Sequence, residues 1–343
     1  MTAHPSARGR HLLVLSPAFH DYDLAIAAAF EALGFRVTTC LYDRFPTVSA
    51  KVRNKIRYEL PERLGRDTTS LRMDEAGGKA IRAIRETSPD LVLVVKGDVL
   101  SDEVWDEIDR RRVPTVLWLY DELRRTRWAA DPVRLGRARA VASYSVEDCN
   151  ALSRSGTPVE HVPLGFDNLT GFQRAPQSRD ISFIGARYPN RQLALENLSR
   201  AGVPVTAYGR DWSTDWRDRM RTWSLSRPDV DSRRDVTRTV GYGIMQAAAG
   251  TLNIHGDQDG FTIRTFEAAG VGAIQICDRA DVSIHYEVGV EILVHDSLDH
   301  LIELCRSVVL DRTRGASMRR AAQRRTLAEH TLVHRAGRLV DLF

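Results

Sequence analysis

Two acids, Asp259 and Glu267, bracket seven residues in the stretch Asp259-Gly-Phe-Thr-Ile-Arg-Thr-Phe-Glu267. The stretch reads as a glycine-marked turn running into a helix start. Gly270 and Gly272 then lead to a short buried strand ending at Ile276. A loop acid and a helix acid at the mouth of a parallel sheet can grip the hydroxyls of one sugar nucleotide. The helix start between them can hold a pyrophosphate, because its unpaired N–H groups and its dipole favour anions. Arg264 lies one turn before Glu267, where it either faces the pyrophosphate or bridges to an acid. Gly260, Phe261 and Thr265 fall inside the same bracket and belong to the same expected donor site.

Other residues of the second half suit the same chemistry. Gly185 closes an apolar run and is followed by Arg187 and Arg191, as a bidentate phosphate grip requires. Gly209 with Arg210 sits after another such run and is placed to border a nucleobase. His255 ends the run just before the acid motif. In the first half, His20 follows the first apolar run and Asp121 follows a later one. If both face the cleft, Asp121 orients His20 as a general base toward an acceptor hydroxyl. That dyad suits an inverting transfer, whereas a retaining transfer needs no strong base there. Asp98, after Lys96-Gly97, is a second acceptor-side contact. No metal is required, because arginines and helix-dipole charge offset a leaving diphosphate. Asp229-Val-Asp231 has an Asp-x-Asp spacing, but no strand precedes it.

The elements that must position these residues follow a strand–helix rhythm. Apolar runs at His11–Ser16, Phe35–Leu41, Leu91–Val95, Pro114–Leu119, Ala140–Ser143 and Val159–Val162 alternate with helical patterns, among them Asp21–Leu33, Asp74–Thr87, Ser101–Arg111 and Val146–Ser155. The segment from Arg44 to Leu71 is polar, poorly periodic and reads as an insertion. The rhythm lapses between Pro163 and Arg179 and restarts with strands at Asp180–Ile184, Pro204–Tyr208, Thr251–His255 and Glu291–His295. Arg210–Thr237 resists assignment, and Leu298–Leu310 and Met318–Leu342 read as helical. This pattern predicts an α/β protein with two doubly wound parallel-sheet domains facing a cleft. Ligands in such sheets sit beyond the carboxyl ends of the strands. That rule selects the loops Pro17–Asp21, Lys96–Asp98, Tyr120–Glu122, Gly185–Arg191, Gly209–Asp211 and His255–Phe261.

Composition removes several classes. At 343 residues the chain has room for two cores, and no apolar run approaches the ~20 residues of a membrane helix. The polar N-terminus carries no signal-peptide pattern, which predicts a cytoplasmic protein. Cys40, Cys149, Cys277 and Cys305 are scattered, as free thiols in a reducing compartment would be. Four lysines and 45 arginines against 45 acids give a net charge of +4, but the charges are interleaved and form no nucleic-acid stripe.

The second half resembles the glycosyltransferase group 1 domain of the family named after the spore maturation protein CgeB. The resemblance runs through Ile181-Ser-Phe-Ile-Gly185 with Arg187, Pro189 and Arg191, then Leu252-Asn-Ile-His255, Asp259-Gly260, Arg264-Thr-Phe-Glu267-Ala268, and Glu329-His-Thr331 with Arg335. Before Asp180 it extends only to the rhythm, Trp118 with Asp121, and Pro163-Leu-Gly. It implies a GT-B fold of two Rossmann-like lobes, with a nucleotide-sugar donor, UDP-linked, in the second and the acceptor at the first. The domains implied are 1–165, a linker 166–179, the donor lobe 180–325, and a helix 326–343 crossing back to the first lobe. Enzymes of this type often carry two glutamates with seven residues between them. Glu267 then holds the ribose hydroxyls and Asp259, one methylene shorter, touches the donor sugar.

The reading is a metal-independent glycosyltransferase with a nucleotide-diphosphate sugar as donor and no other cofactor. The alternative is a catalytically degenerate GT-B nucleotide-binding or scaffold protein. A dinucleotide-dependent oxidoreductase or epimerase needs G-x-G-x-x-G after the first strand, where this chain has Ser16-Pro-Ala-Phe-His20.

Overall fold

The computed structural model describes residues 9–44, 58, 61, 65–130, 132–223, 226–311 and 315–343. The chain divides into two compact units, Met1–Pro163 with Leu332–Phe343, and Leu164–Thr331.

Unit 1 runs β1 (His11–Ser16), α1 (Tyr22–Ala32), β2 (Arg36–Leu41), α2 (Thr69–Thr87), β3 (Leu91–Val95), α3 (Asp102–Arg111), β4 (Thr115–Leu119), β5 (Ala140–Ser143), α4 (Val146–Arg154) and β6 (Val159–His161). Most of the expected insertion lies outside the described residues. Its end is corrected, because α2 already begins at Thr69. The six strands form one parallel sheet in the order β2-β1-β3-β4-β5-β6. The central strands are unbroken Leu and Val runs with no exposed residue, as expected where helices cover both faces. The strand order reverses between β1 and β3, so their carboxyl ends open a crevice. Three 3₁₀ turns between Leu123 and Arg137 follow β4 and bring Trp128 onto the core.

Unit 2 runs β7 (Ile181–Ile184), α5 (Pro189–Arg200), β8 (Val205–Tyr208), α6 (Trp216–Thr222), β9 (Asp231–Arg233), α7 (Arg238–Ala247), β10 (Gly250–Asn253), α8 (Ile263–Gly270), β11 (Gln275–Cys277), β12 (Leu293–Val294), α9 (Leu298–Leu310) and α10 (Gly315–Glu329). Its parallel sheet has the order β12-β11-β10-β7-β8-β9, with the switch between β7 and β10. The unassigned polar stretch supplies α6 and β9. Strand β10 ends at Asn253, so His255 stands on the loop beyond it.

The single helical stretch expected at Met318–Leu342 is broken at His330–Thr331. Thr331 bridges Phe166, and the Phe166 N–H donates to the His330 carbonyl at 2.8 Å. The last helix, α11 (Leu332–Val340), belongs to unit 1 and packs on α1. Two of the glycines approach their neighbours more closely than a Cβ ordinarily does. A Cβ on Gly270 would stand 2.4 Å from the Phe166 ring, and one on Gly209 would stand 2.8 Å from the Gly185 carbonyl oxygen.

Candidate functional site

The β7/β10 switch point gathers most of the donor-side residues read from the sequence. Helix α5 starts just after β7 and reaches across to the exit of β10. Asn190 Nδ2 donates to the His255 carbonyl at 2.7 Å, and Arg191 Nε donates to the Ile254 carbonyl at 2.8 Å. Arg191 Nη1 donates to the Ala186 carbonyl at 3.1 Å, and the guanidinium lies over the Tyr188 ring at 4.6 Å. Among the described residues Arg191 has no carboxylate within ion-pair distance. Burial holds its pKa below the ordinary value; the nearby Arg264 charge acts the same way, and Tyr188 and Asp278 act against them. A half-buried cation facing a second cation is a place where an anion is stabilised.

Helix α8 opens on the same crevice. Thr262 precedes its first turn, and no acid occupies that turn, so its N–H groups meet no side-chain cap. Glu267 is fully buried one turn in, and its Oε2 accepts from Arg264 Nη1 at 2.7 Å. Arg264 keeps a quarter of its side chain exposed and so forms the outer cover of that carboxylate. Tyr242 of α7 adjoins the pair: burial, and then the Glu267 charge, push its hydroxyl far above the usual phenol value. Asp259 and Gly260 lie on the loop before α8, Asp259 half-buried and Gly260 buried.

A directional hydrogen-bond chain fixes this loop to the helix. Thr262 Oγ1 donates to Asn253 Oδ1 at 3.3 Å, and Asn253 Nδ2 donates to Thr265 Oγ1 at 2.8 Å. Thr265 Oγ1 meets His255 Nε2 at 3.5 Å, and His255 Nδ1 meets Asp278 Oδ1 at 2.7 Å. Asp278 Oδ2 also accepts the His255 backbone N–H at 2.9 Å. With Nδ1 carrying the proton, every member donates forward and none is left unsatisfied. His255 and Thr265, both expected donor contacts, are buried members of this chain and hold the loop to the helix. Phe261, expected at the same site, is buried against the His255 and His285 rings and under the Arg279 guanidinium.

Arg279 and Asp278 were not among the expected residues. Arg279 Nη1 donates to the carbonyls of Gln258, Asp259 and Gly260 at 3.1, 2.7 and 3.3 Å. One guanidinium nitrogen thus pins the turn that carries the loop acid. Both residues follow β11, and the strand-end rule applied to that strand would have found them. His255, Cys277 and Asp278 place three possible metal-ligand atoms within 4.8 Å of one another. Burial pushes the Cys277 thiol up to about 12, and His255 and Asp278 are joined by their own hydrogen bond, so the donor set fits the polar chain better than an ion.

Gly185 and Gly209 meet at the ends of β7 and β8, where Trp212 Nε1 donates to the Gly185 carbonyl at 2.9 Å. Arg187, beside them, donates from Nη1 to the Ser226 carbonyl at 3.2 Å.

In unit 1 the expected His20–Asp121 dyad is not formed. The Asp121 carboxylate is held by Lys96 Nζ at 3.2 Å, and no hydrogen bond joins it to His20. The loops carrying the two residues do meet, with Phe19 and Tyr120 edge to face at 5.2 Å. His20, Asp21 and Lys96 all adopt left-handed backbone, at φ 46°, 58° and 64°, a strained choice for residues with side chains. A cavity of about 430 Å³ lies at the β1/β3 switch point, lined by Pro17, Tyr42, Tyr58, Lys79, Lys96 and Asp98 among others. Asp98 Oδ1 is buried and, among the described residues, has no hydrogen-bond partner.

Among the described residues no helix is long and apolar enough to cross a membrane. Residues 187–341 match a family model described as glycosyl transferase-like. No curated protein matches the chain. Solved structures match both units. Alr3699/HepE of Anabaena, determined in complex with UDP and glucose, is 13% identical with a TM-score of 0.61, over 97% of this chain and 98% of that one. A sucrose-phosphate synthase of Thermosynechococcus elongatus is 12% identical with a TM-score of 0.62, over 97% and 98%. A putative UDP-N-acetylglucosamine 2-epimerase of Listeria monocytogenes is 12% identical with a TM-score of 0.58, over 96% and 94%. The two six-stranded parallel sheets with their helices are the GT-B fold.

Proposed function

We propose that the chain is a glycosyltransferase that takes a UDP-linked sugar at the β7/β10 switch point of unit 2 and passes the sugar to a hydroxyl acceptor. The observation that carries this reading is the convergence of Arg191, the uncapped start of α8, and the Arg264–Glu267 pair at one crevice. In this scheme the diphosphate draws Arg264 outward. Glu267 is thereby released to accept from the ribose hydroxyls, and Asp259 faces the donor sugar. Arg191, Arg264 and the helix dipole offset the charge of the leaving diphosphate, so transfer proceeds without a metal. The uridine base is chosen because Alr3699/HepE is described with UDP and with UDP-glucose. Acceptor contacts fall to unit 1, where Asp98 offers a buried carboxylate oxygen with no hydrogen-bond partner among the described residues.

A second reading has a specific observation behind it. The bond from Asp121 to Lys96 takes up the acid expected to orient a base, which favours a nucleotide-binding protein without transfer. Product analysis separates the two. Incubation with UDP-glucose and a panel of hydroxyl acceptors, with EDTA present, is expected to release UDP together with a glycosylated product. UDP binding with neither transfer nor hydrolysis supports the second reading. A free N-acetyl sugar or epimer from UDP-N-acetylglucosamine would overturn both.

A further inference from the structure

Four of the six tryptophans, Trp105, Trp118, Trp128 and Trp212, are buried. The other two, Trp216 and Trp223, are 63% and 73% exposed and stand at the two ends of the same short helix, α6. Met220 lies between them and is 63% exposed. The three positions are spaced by four and three residues, which sets them along one side of a helix. Trp223 caps the helix at φ 52°, so the backbone accepts left-handed strain at a bulky, largely exposed residue.

The charges of this helix are sorted. Its two acids turn toward the protein: Asp215 caps the first turn through the Arg217 N–H, and Asp218 is buried, with Oδ2 accepting from Arg234 Nε at 2.8 Å. Its cations Arg217 and Arg221 face outward and, among the described residues, pair with no carboxylate. Arg217 lies over the Trp216 ring at 5.6 Å. The outer face therefore presents two indoles, a thioether and two guanidinium groups.

We propose that this face of α6 seats unit 2 on an anionic lipid surface. Indole rings favour the headgroup level, where their apolar body and polar N–H are both accommodated. Arginines beside them meet lipid phosphates and are favoured by anionic headgroups. A protein partner is the weaker match. Stable protein interfaces use about 20–30 residues a side, and this patch is one helix of two turns.

Flotation of the full chain with vesicles of phosphatidylcholine, with and without phosphatidylglycerol, tests the proposal. The wild type is expected to float with the anionic vesicles about tenfold more than with the neutral ones, less so at high salt. Trp216→Ser and the pair Arg217→Glu with Arg221→Glu are each expected to lower that fraction by about tenfold while the melting temperature holds. Equal flotation of wild type and both variants would overturn the proposal. So would a wild type that ignores anionic vesicles and forms a dimer that Trp216→Ser disperses.

Discussion

Arg264 Nη1 donates to Glu267 Oε2 at 2.7 Å, and this bond covers a carboxylate that has no exposure of its own. The two residues are one helical turn apart, so the pair is built into α8 and needs no neighbouring element to form it. Removing the cation leaves a buried charge with fewer partners. Arg264→Ala is expected to destabilise the protein by about 1–3 kcal/mol, and Arg264→Ala in a Glu267→Gln background by clearly less. Urea unfolding of the four proteins in the cycle gives the coupling. Additive losses would separate the pair.

Arg279 acts on the loop acid from a distance in sequence. Lysine keeps the charge at this position but lacks the fork that anchors Arg279 on Asp281 through Nε and Nη2 while Nη1 meets the three carbonyls. Arg279→Lys is expected to weaken UDP binding by about tenfold, through a loosened 258–260 turn, with the far-ultraviolet spectrum intact. Unchanged affinity would make the three bonds incidental to the site.

Much of this was legible from sequence, and the failures have physical causes. Parallel strands buried on both faces are written as unbroken Leu and Val runs, so Leu91–Val95 was placed without error. The switch-point rule then selected the loops after β7 and β10. What pattern does not show is which polar side chain is already satisfied. His255 and Thr265 carry the right atoms for a ligand, and here those atoms bond Asn253 and Asp278. Asp121 likewise meets Lys96 rather than His20. Helix α6 escaped because its outward face is aromatic and basic while its acids turn inward, the inverse of the pattern that marks a surface helix.

Gly270 is a test of packing behind the site. The Phe166 ring occupies the place of a side chain on the last turn of α8, so Gly270→Ala is expected to cost about 1–3 kcal/mol despite alanine's better helix propensity. Phe166→Leu introduced alongside should recover part of the loss. A Gly270→Ala protein as stable as wild type in guanidinium would mean that the ring yields freely.

Acid should strike the first turn of unit 2. Asp167 is buried against Arg238, and its N–H donors include Thr170. Burial raises its pKa, but the Thr170 and Arg238 hydrogen bonds outweigh burial and leave it below the ordinary 3.8. A carboxyl depressed in the folded state contributes fully above pH 3.8, and that contribution disappears as pH falls through the lowered folded value. Asp167→Asn is expected to be less stable near neutrality and to show a flatter decline in melting temperature below pH 4. Parallel acid limbs for the two proteins would place the titration elsewhere.

Calorimetric titration of UDP into the wild type and into Glu267→Ala tests the donor site most directly. The wild type is expected to bind one equivalent, and the alanine variant, still folded by circular dichroism, to bind at least about tenfold more weakly, as the loss of a charged hydrogen bond requires. A wild type that gives no heat with UDP, or a variant that binds it equally well, would contradict the account.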